Sequence, residues 1–346
     1  MNKDVAVVIL NWNGVKHLEE FLPSVIQHTN SSIADIYVID NASTDTSVTF
    51  LNEKYPSIKI VQNSSNGGFA KGYNDGLKYI QAKYYLLLNS DVEVSSHWLE
   101  PLFKKMESSP EIAACMPKIL DYKNKIKFEH AGAAGGFIDK FGYPFCRGRL
   151  FNSIENDESQ YNNDIEIFWA TGACMMIRAN LYHEQSGFDE SFFAHMEEID
   201  LCWRLKNEGF KIYFVHNSTV FHLGGGTLSS ISPNKTYLNF RNNLYLLFKN
   251  LPDKFLYRTI FARMILDGLA FFHFAAIGKL KHASAVWRAH VSFYKNIKSL
   301  RLKRSQNKQY HQLKYLVGVY NDSIVYRFYL KNIKVFELLD IKKFGK

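Results

Sequence analysis

The first 120 residues alternate short apolar runs with amphipathic segments, and this rhythm restricts the fold more than any other feature of the sequence. We predict strands at 5–10, 33–39, 58–62 and 84–88, and helices at 15–27, 43–55 and 69–82. Such alternation is typical of an α/β fold with an open, mostly parallel sheet and right-handed crossovers. The full chain of 346 residues exceeds one usual core, so a second region is expected.

Each predicted strand is followed by a polar cluster. The clusters contain Asn11 and Asn13, then Asp40, then Asn66, and finally Asn89 with Ser90 and Asp91. Ligands of open α/β sheets bind at the carboxyl ends of the strands, where these clusters meet. The sequence therefore predicts that the four clusters line one cleft.

Two of the polar residues are candidate metal ligands. Asp91 follows an apolar run at 85–88, and His222 ends a second apolar strand predicted at 213–221. A carboxylate and a histidine at strand ends suit a divalent cation that bridges phosphate oxygens. A turn or helix cap would equally use Asp91, and a structural role is the commoner one for a lone histidine such as His222.

A run of acids occupies an otherwise apolar helix predicted over 192–207. Glu197, Glu198 and Asp200 repel one another and are costly to desolvate. One of them could have a raised pKa and act as a general base while another pairs with Arg204. The alternative is an ordinary helix N-terminus, which favours acidic residues.

The segment NGGFAKGYN at 66–74 is a glycine loop that opens a helix, which suits close approach by a nucleotide. Its spacing matches neither the dinucleotide fingerprint nor a P-loop.

Taken together, these motifs resemble those of glycosyltransferase family 2, and within it the bacterial rhamnosyltransferase-like members. The resemblance covers roughly residues 3–250. It is carried, in order, by VILNWN at 8–13, VIDNASTD at 38–45, NGGFAKGYN at 66–74, LNSD at 88–91, GAC at 172–174, GFDE at 187–190, EEIDLCWR at 197–204 and His222. It implies a GT-A fold, an inverting reaction and a Mg²⁺ or Mn²⁺ ion.

The resemblance also implies residue roles. Asp40 matches the position that binds the nucleobase. Asp91 matches the last acid of the metal motif, whose first acid is replaced by Asn89, so that the metal would depend on Asp91 and His222. Glu198 matches the expected base, with Asp200 as the alternative. The further substrate-binding positions are Asn11, Asn13, Asn66, Gly67, Gly68, Lys71, Asn74, Ser90, Glu197 and Arg241, the last as a clamp on the diphosphate.

The expected function is transfer of a sugar, with thymidine-diphosphate rhamnose the leading donor by resemblance and a UDP-sugar next. The expected acceptor is a hydroxyl of a glycan or polyprenol-linked glycan in bacterial surface polysaccharide synthesis. A loop at 224–232 is expected to close over the donor. The alternatives are a weak or inactive transferase-like protein and a nucleic-acid-binding module that uses the C-terminal tail.

The charge distribution separates that tail from the rest. Residues 251–346 hold 19 Lys and Arg against 5 Asp and Glu, a net of +14, which leaves −5 for residues 1–250 out of the total of +9. We predict a catalytic domain over 1–250, with a nucleotide-sugar half at 1–120 and an acceptor half at 121–250, and a basic helical region over 251–346. Carboxylates and a histidine at strand ends are not explained by nucleic-acid binding, so no nucleic-acid partner is expected.

The tail contains the apolar segment 261–277 followed by basic residues, which could lie on an anionic membrane or pack against the catalytic body or a second subunit. The stretch 264–278 is judged too short to span a bilayer. With no signal peptide evident, the predicted location is the cytoplasm or, peripherally, the inner face of the plasma membrane.

Overall fold

The computed structural model describes residues 3–224, 232–307 and 316–345. Its first elements follow the predicted alternation: β1 (Val5–Asn11), α1 (Val15–His28), β2 (Ala34–Asp40), α2 (Ser47–Lys54), β3 (Lys59–Gln62), α3 (Gly68–Leu77) and β4 (Tyr84–Asn89). α2 begins four residues later than predicted, because Asp45 Oδ1 accepts the Ser47 N–H at 3.0 Å ahead of the helix. α3 ends at Leu77, before the predicted end at 82, because the Ile80 N–H donates to Leu77 O in a tight final turn.

The middle of the chain adds shorter elements. They are β5 (Val92–Val94), α4 (Leu99–Ser108), β6 (Ile112–Asp121), β7 (Gly136–Asp139), β8 (Pro144–Cys146), β9 (Arg149–Leu150), β10 (Ser153–Ile154), β11 (Ile165–Ile167), β12 (Cys174–Arg178), α5 (Ala179–Glu184), α6 (Glu197–Asn207) and β13 (Lys211–His222). The chain then continues with α7 (Pro233–Asn250), α8 (Asp253–Ala276), α9 (Leu280–Lys295), α10 (Ile297–Gln306), β14 (Val319–Tyr320) and α11 (Ile324–Tyr329).

The main sheet has the order β11-β13-β6-β12-β4-β1-β2-β3, with β5 paired to β13. β4, β1, β2 and β3 are parallel to one another, whereas β12 runs antiparallel to both β4 and β6. The α/β class and the open sheet flanked by helices are therefore confirmed. The second half of the sheet is mixed, since β13 pairs in parallel with β6 and antiparallel with β11 and β5.

A second sheet has the order β10-β9-β8-β7-β14. Its last strand comes from the C-terminal region, where Val319 pairs in parallel with Ile138 of β7. Phe137 packs on Phe336 and Phe344 at ring distances of 4.9 and 5.5 Å. Residues beyond 316 thus pack against the segment 121–164, and the C-terminal region is not purely helical as the sequence suggested.

α8 corrects the expectation about the apolar stretch 264–278. The helix begins eleven residues earlier, at Asp253, and its 24 residues are long and apolar enough to cross a bilayer by length and composition. Its most apolar 18-residue window has a mean hydropathy of 1.4, and only 17% of that window is buried. It is the one such helix in the part of the chain that the structure describes.

Candidate active site

The carboxyl ends of β1, β2 and β4 bring three predicted donor-binding residues together. Asn11 lies opposite Asp40, and Asn89 lies opposite Leu10 on the other side of β1. Asn11 Nδ2 donates to Asp40 Oδ1 at 3.2 Å, and both side chains are buried. Asn11 Oδ1 is buried and has no partner among the described residues, so it is free to accept a hydrogen bond from a ligand. Ser90 follows Asn89 at the same edge and is partly exposed.

Asn13 and Asn66 hold the backbone of this edge. Asn13 Oδ1 accepts the Thr44 N–H at 2.7 Å. Asn66 Oδ1 accepts the Gly68 N–H and the Asn41 Nδ2, both at 2.9 Å. These side-chain oxygens shape the two loops of the cleft, while their contact with a nucleotide stays a prediction.

The glycine loop packs on the turn that precedes α6. Gly68 has φ +85°, and a Cβ there would lie 2.7 Å from the Phe193 ring. A Cβ on Gly67 would lie 2.5 Å from Lys71 Cδ. Phe69 N–H donates to Phe193 O at 3.1 Å. Both glycines are therefore needed for close packing, and the loop is joined directly to the turn that leads to the acidic cluster.

Lys71 and Asn74 make protein contacts instead of leaving their polar atoms to the cleft. Lys71 Nζ lies 2.7 Å from Asp75 Oδ2. Asn74 Oδ1 accepts the Tyr182 hydroxyl at 2.7 Å and the Phe188 N–H at 3.0 Å. Asn74 thereby joins α3 to the segment after α5. The sequence assigned it to the nucleotide wall, and its contact with a nucleotide stays a prediction.

His222 lies between two carboxylates. β5 pairs with β13 so that Val92 is opposite His222, which places the preceding residue, Asp91, beside the imidazole. His222 Nε2 is 3.2 Å from Asp91 Oδ1, and Nδ1 is 3.0 Å from Glu129 Oε2. Burial would lower the pKa of His222, but the hydrogen bonds to the two carboxylates raise it to about 10. The same bonds hold the pKa of Asp91 and of Glu129 below the usual range against the effect of burial.

A divalent cation held partly by substrate would take the place of the His222 Nε2 proton, beside Asp91. A histidine ligand commonly has its second ring nitrogen fixed by a carboxylate, which is the relation of His222 to Glu129. No group of three His, Cys, Asp or Glu side chains suited to a metal occurs within residues 3–224, 232–307 and 316–345. Asp91 and His222 would therefore supply two ligands and leave the others to phosphate and water, as is usual for Mg²⁺. Sequence reasoning missed Glu129, because it belongs to no motif and its partner is 93 residues away.

Glu198 has the properties of a general base. It lies in the first turn of α6, and its Oε2 is buried with no partner among the described residues. Burial raises its pKa to about 7, against hydrogen bonds from backbone N–H groups that lower it. Glu197 Oε2 is also without a described partner, and burial together with the Glu198 charge raises the pKa of Glu197. A carboxyl group with a pKa near neutrality is well suited to accept a proton.

Asp200 has the opposite surroundings. It is fully buried, and Lys249 Nζ and Arg204 Nε each lie 2.9 Å from its carboxylate, with Asn250 Nδ2 at 2.8 Å. Burial would raise its pKa, but the charges of Lys249 and Arg204 hold it below the usual value. Asp200 is thus a link between α6 and α7 with no free oxygen for an acceptor hydroxyl. These contacts favour Glu198 over Asp200, and the assignment of the base stays a prediction.

The helix carrying these acids begins after a strained turn, not at 192 as predicted. Phe193, His195 and Met196 have φ values of +65°, +69° and +77°, a region that side chains other than glycine rarely adopt. Asn242 Nδ2 donates to the carbonyls of Phe192, Ala194 and His195 at 3.0, 2.8 and 2.7 Å. Strain of this kind persists only where surrounding groups hold it, and Asn242 is such a group. The sequence motif includes both Arg241 and Asn242, but only Arg241 was given a role from it.

Arg241 binds the same turn. Its Nη2 donates to Ser191 O at 3.0 Å and to Phe192 O at 2.9 Å. The guanidinium also lies over the rings of Tyr237 and Tyr245, each 5.3 Å from the ring centre. The contact with a diphosphate that the sequence suggested stays a prediction. The loop expected to close over the donor, 224–232, lies outside the described residues apart from its two ends.

Cys146 of β8 lies near both the candidate cation ligands and the acids of α6. Burial raises the pKa of the Cys146 thiol to about 11, and the charges of Glu129 and Glu198 both contribute to that rise. Because Glu129 contacts His222, the histidine, Asp91 and Glu198 belong to one region of the protein. This region combines two candidate cation ligands with a buried carboxylate oxygen that has no partner among the described residues.

Comparison with known proteins agrees with this arrangement. The sequence profile of glycosyl transferase family 2 matches residues 6–185. An N-acetylglucosaminyl-diphospho-decaprenol L-rhamnosyltransferase of Mycobacterium tuberculosis is 23% identical over 237 residues, covering 64% of this chain and 76% of that protein. A low-salt glycan biosynthesis hexosyltransferase of Haloferax volcanii is 23% identical over 274 residues, covering 75% and 81%.

The fold is also similar to solved structures. A mannosyltransferase from Pyrobaculum calidifontis, solved in complex with GDP-Man and Mn²⁺, superposes with a TM-score of 0.52 at 14% identity. The match covers 88% of this chain and 85% of the mannosyltransferase. The GT-A fold expected from the sequence motifs is thereby confirmed.

Proposed function

We propose, from the premise that the chain belongs to glycosyl transferase family 2, that this glycosyltransferase moves a sugar from a nucleotide-diphosphate donor to a hydroxyl of a glycan acceptor with inversion. The observations that support the proposal are the contact of Asp91 with His222, and the buried Glu198 Oε2, which has a raised carboxyl pKa and no partner among the described residues. This combination provides a base for the acceptor and a place for the leaving diphosphate.

The donor would lie across the strand ends. Asp40 and Asn11 would bind the nucleobase, and the backbone of Gly67 and Gly68 allows close approach of the nucleotide. A Mg²⁺ or Mn²⁺ ion on Asp91 and His222 would neutralise the diphosphate charge. Glu129 keeps the His222 ring oriented, with Nε2 directed at Asp91.

Glu198 would accept the proton of the acceptor hydroxyl. As it does so, the acceptor oxygen forms a bond to the anomeric carbon on the face opposite the diphosphate. The bond from that carbon to the diphosphate oxygen breaks, and its electron pair leaves with the diphosphate. One displacement inverts the anomeric centre and requires no covalent bond to the protein.

The finer proposals concern donor, acceptor and location. The decaprenol-linked acceptor in the name of the mycobacterial relative supports a polyprenol-linked glycan here, and its rhamnosyl donor supports thymidine-diphosphate rhamnose, with a UDP-sugar second. Such an acceptor would place the chain in bacterial surface polysaccharide synthesis, in the cytoplasm and peripherally on the inner face of the plasma membrane. We retain the division into a catalytic part at 1–250 and a C-terminal region at 251–346 as part of this proposal.

A thermal-shift screen followed by a transfer assay tests the proposal. Nucleotide sugars with and without Mn²⁺ should raise the melting temperature, and the donor that does so best is then used for transfer. Glu198→Gln should abolish transfer and leave donor binding nearly unchanged. Glu184→Gln, an exposed acid at the end of α5, is the matched control and should be as active as the wild type. Full activity of Glu198→Gln would refute the assignment of the base.

A further inference from the structure

α8 buries a charged pair against the protein and presents large apolar side chains to its surroundings. Arg263 and Asp267 are buried against the other helices, with Arg263 Nε 2.7 Å from Asp267 Oδ1. Arg263 Nη1 donates to Asn243 Oδ1 on α7 at 2.6 Å, and Asp267 Oδ2 lies 3.0 Å from His290 Nε2 on α9. The charged centre of the helix is thus fixed to its two neighbours inside the protein.

The opposite side of α8 carries large apolar side chains. Their spacing of three or four residues places them on one stripe of the helix, and each is between 53% and 75% exposed. These residues are Tyr257, Phe261, Ile265, Leu269 and Phe272. A helix in water normally has the reverse pattern, and a contiguous exposed apolar surface of this kind marks a site of interaction.

α9 extends the same surface. Leu280, Trp287 and Tyr294 recur every seven residues, so they share one side of that helix, and they are 67%, 66% and 49% exposed. The Tyr294 hydroxyl lies 3.2 Å from Met264 Sδ, which brings this row beside the stripe of α8. We call these eight side chains on α8 and α9 the apolar face.

Basic residues flank the apolar face. Residues 251–307 hold eleven Lys and Arg against two Asp, a net charge of +9. The exposed ones near the two ends of the helix pair are Lys254, Arg258, Lys279, Lys281, Lys295, Lys298 and Arg301. None of these seven forms an ion pair with a residue that the structure describes.

We propose that the apolar face docks on the surface of an anionic lipid bilayer, with α8 and α9 lying in the interface. Apolar side chains would enter the boundary between headgroups and acyl chains, and the flanking lysines and arginines would contact lipid phosphates. A second copy of the chain fits less well, because a twofold contact would bring the seven exposed basic residues of each copy close to those of the other.

α8 lies on the membrane and does not cross it. It is long enough to cross, but its centre is held to α7 and α9 by the buried contacts of Arg263 and Asp267. A helix that inserted would carry this ion pair into hydrocarbon without those partners, which is costly. The proposal rests on the proposed function, in which the acceptor is linked to a lipid. Binding of α8 and α9 to the membrane would bring the enzyme to the surface that holds such an acceptor.

Vesicle flotation of the full chain tests whether the apolar face binds a membrane. Vesicles of phosphatidylcholine alone and of phosphatidylcholine with phosphatidylglycerol are compared at low and high salt. The wild type should float with the anionic vesicles, more at low salt. A triple variant of the apolar face, Phe261→Gln, Leu269→Gln and Phe272→Gln, should lower the fraction bound at least about tenfold.

A matched triple variant removes exposed apolar residues elsewhere. Tyr79→Gln, Leu338→Gln and Ile341→Gln change side chains that are at least as exposed as those of the first variant, and they should bind vesicles like the wild type. Absence of flotation with anionic vesicles, or equal binding by both variants, would refute the docking surface. The docking surface would also be refuted if light scattering showed a dimer of the wild type that the apolar-face variant disrupts and the matched variant does not. If the protein stayed bound to the vesicles under alkaline extraction, α8 would cross the bilayer, and the proposal that it lies in the interface would be contradicted. Donor binding, followed separately by thermal shift, reports on the proposed function.

Discussion

Replacing Asn242 by Ala tests how the protein positions its base. The substitution removes three hydrogen bonds, from one amide nitrogen to the carbonyls of Phe192, Ala194 and His195. Those carbonyls belong to the turn at 193–196, whose positive φ values precede Glu198. We expect the turn to relax toward ordinary backbone angles and the carboxylate of Glu198 to lose its place in the site.

The magnitude follows from the bonds that are lost. A hydrogen bond between neutral groups contributes about 1 kcal/mol net, and the two hydrogens of the Asn242 amide are shared among three carbonyls, so they hold the turn by about 2 kcal/mol. Since 1.36 kcal/mol corresponds to a tenfold change in rate, a turn that is mostly relaxed would lower kcat about 30-fold. A more exposed Glu198 would also have a lower pKa, so the acidic limb of the pH–rate profile should move below about 7.

The assay measures kcat, donor affinity, melting temperature and the pH profile in parallel. Asn243→Ala is the matched control, because Asn243 is equally buried but bonds Gly142 O and Arg263, away from the turn. It should lose stability but keep its pH profile. If Asn242→Ala kept the wild-type kcat and pH profile, or if both variants lost kcat alike, the positioning role of Asn242 would be refuted.

Three further predictions concern the same region. In the wild type, kcat/KM should fall as pH decreases through about 7, because a protonated Glu198 cannot accept the acceptor proton; a flat profile between pH 6 and 8 would contradict this. Asp200→Asn should lower the free energy of unfolding by about 3 kcal/mol in urea titrations at pH 7, because Arg204 loses its carboxylate and Lys249 keeps only that of Asp189. Since the pKa of Asp200 is lowered in the fold, the wild-type stability that depends on it should be present above the unfolded pKa and be lost as pH falls. An Asp200→Asn variant as stable as the wild type would be inconsistent with the buried link. Gly68→Ala should weaken donor affinity and lower the melting temperature, because its Cβ would lie 2.7 Å from the Phe193 ring. Gly209→Ala is the control, because φ is also positive there but nothing lies within 4 Å of the new Cβ, so that it shows the effect of backbone strain alone. Equal effects of the two variants on donor affinity would refute the role of the contact with Phe193.

The part of the site built on parallel strands could be predicted from the sequence. Asn11, Asp40 and Asn89 meet because each ends a strand, and adjacent parallel strands end at the same edge of the sheet. The period of the apolar residues alone determines that outcome. The same reasoning correctly placed Asp91 and His222 near one another, although their pairing depends on the antiparallel β5 and β13.

Roles that depend on distant partners could not be predicted. Glu198 and Asp200 are two residues apart in one helix, and their difference arises from Lys249, which is 49 residues beyond Asp200. The stretch 264–278 was judged too short to span a bilayer, because Arg263 precedes it and Asp267 lies within it. In the fold these two charges pair within the helix and face its neighbours, so the outer surface stays apolar through both positions.

The central claim is that a cation on Asp91 and His222 and a base on Glu198 act on opposite faces of one sugar. The most direct measurement is a crystal structure of the complex with Mn²⁺ and an unreactive donor analogue, with the metal located by its anomalous scattering. We predict a manganese peak about 2.2 Å from an Asp91 oxygen and from His222 Nε2, with the Glu198 carboxylate on the side of the anomeric carbon away from the diphosphate. A peak bound elsewhere, or a Glu198 carboxylate on the diphosphate side, would contradict the account.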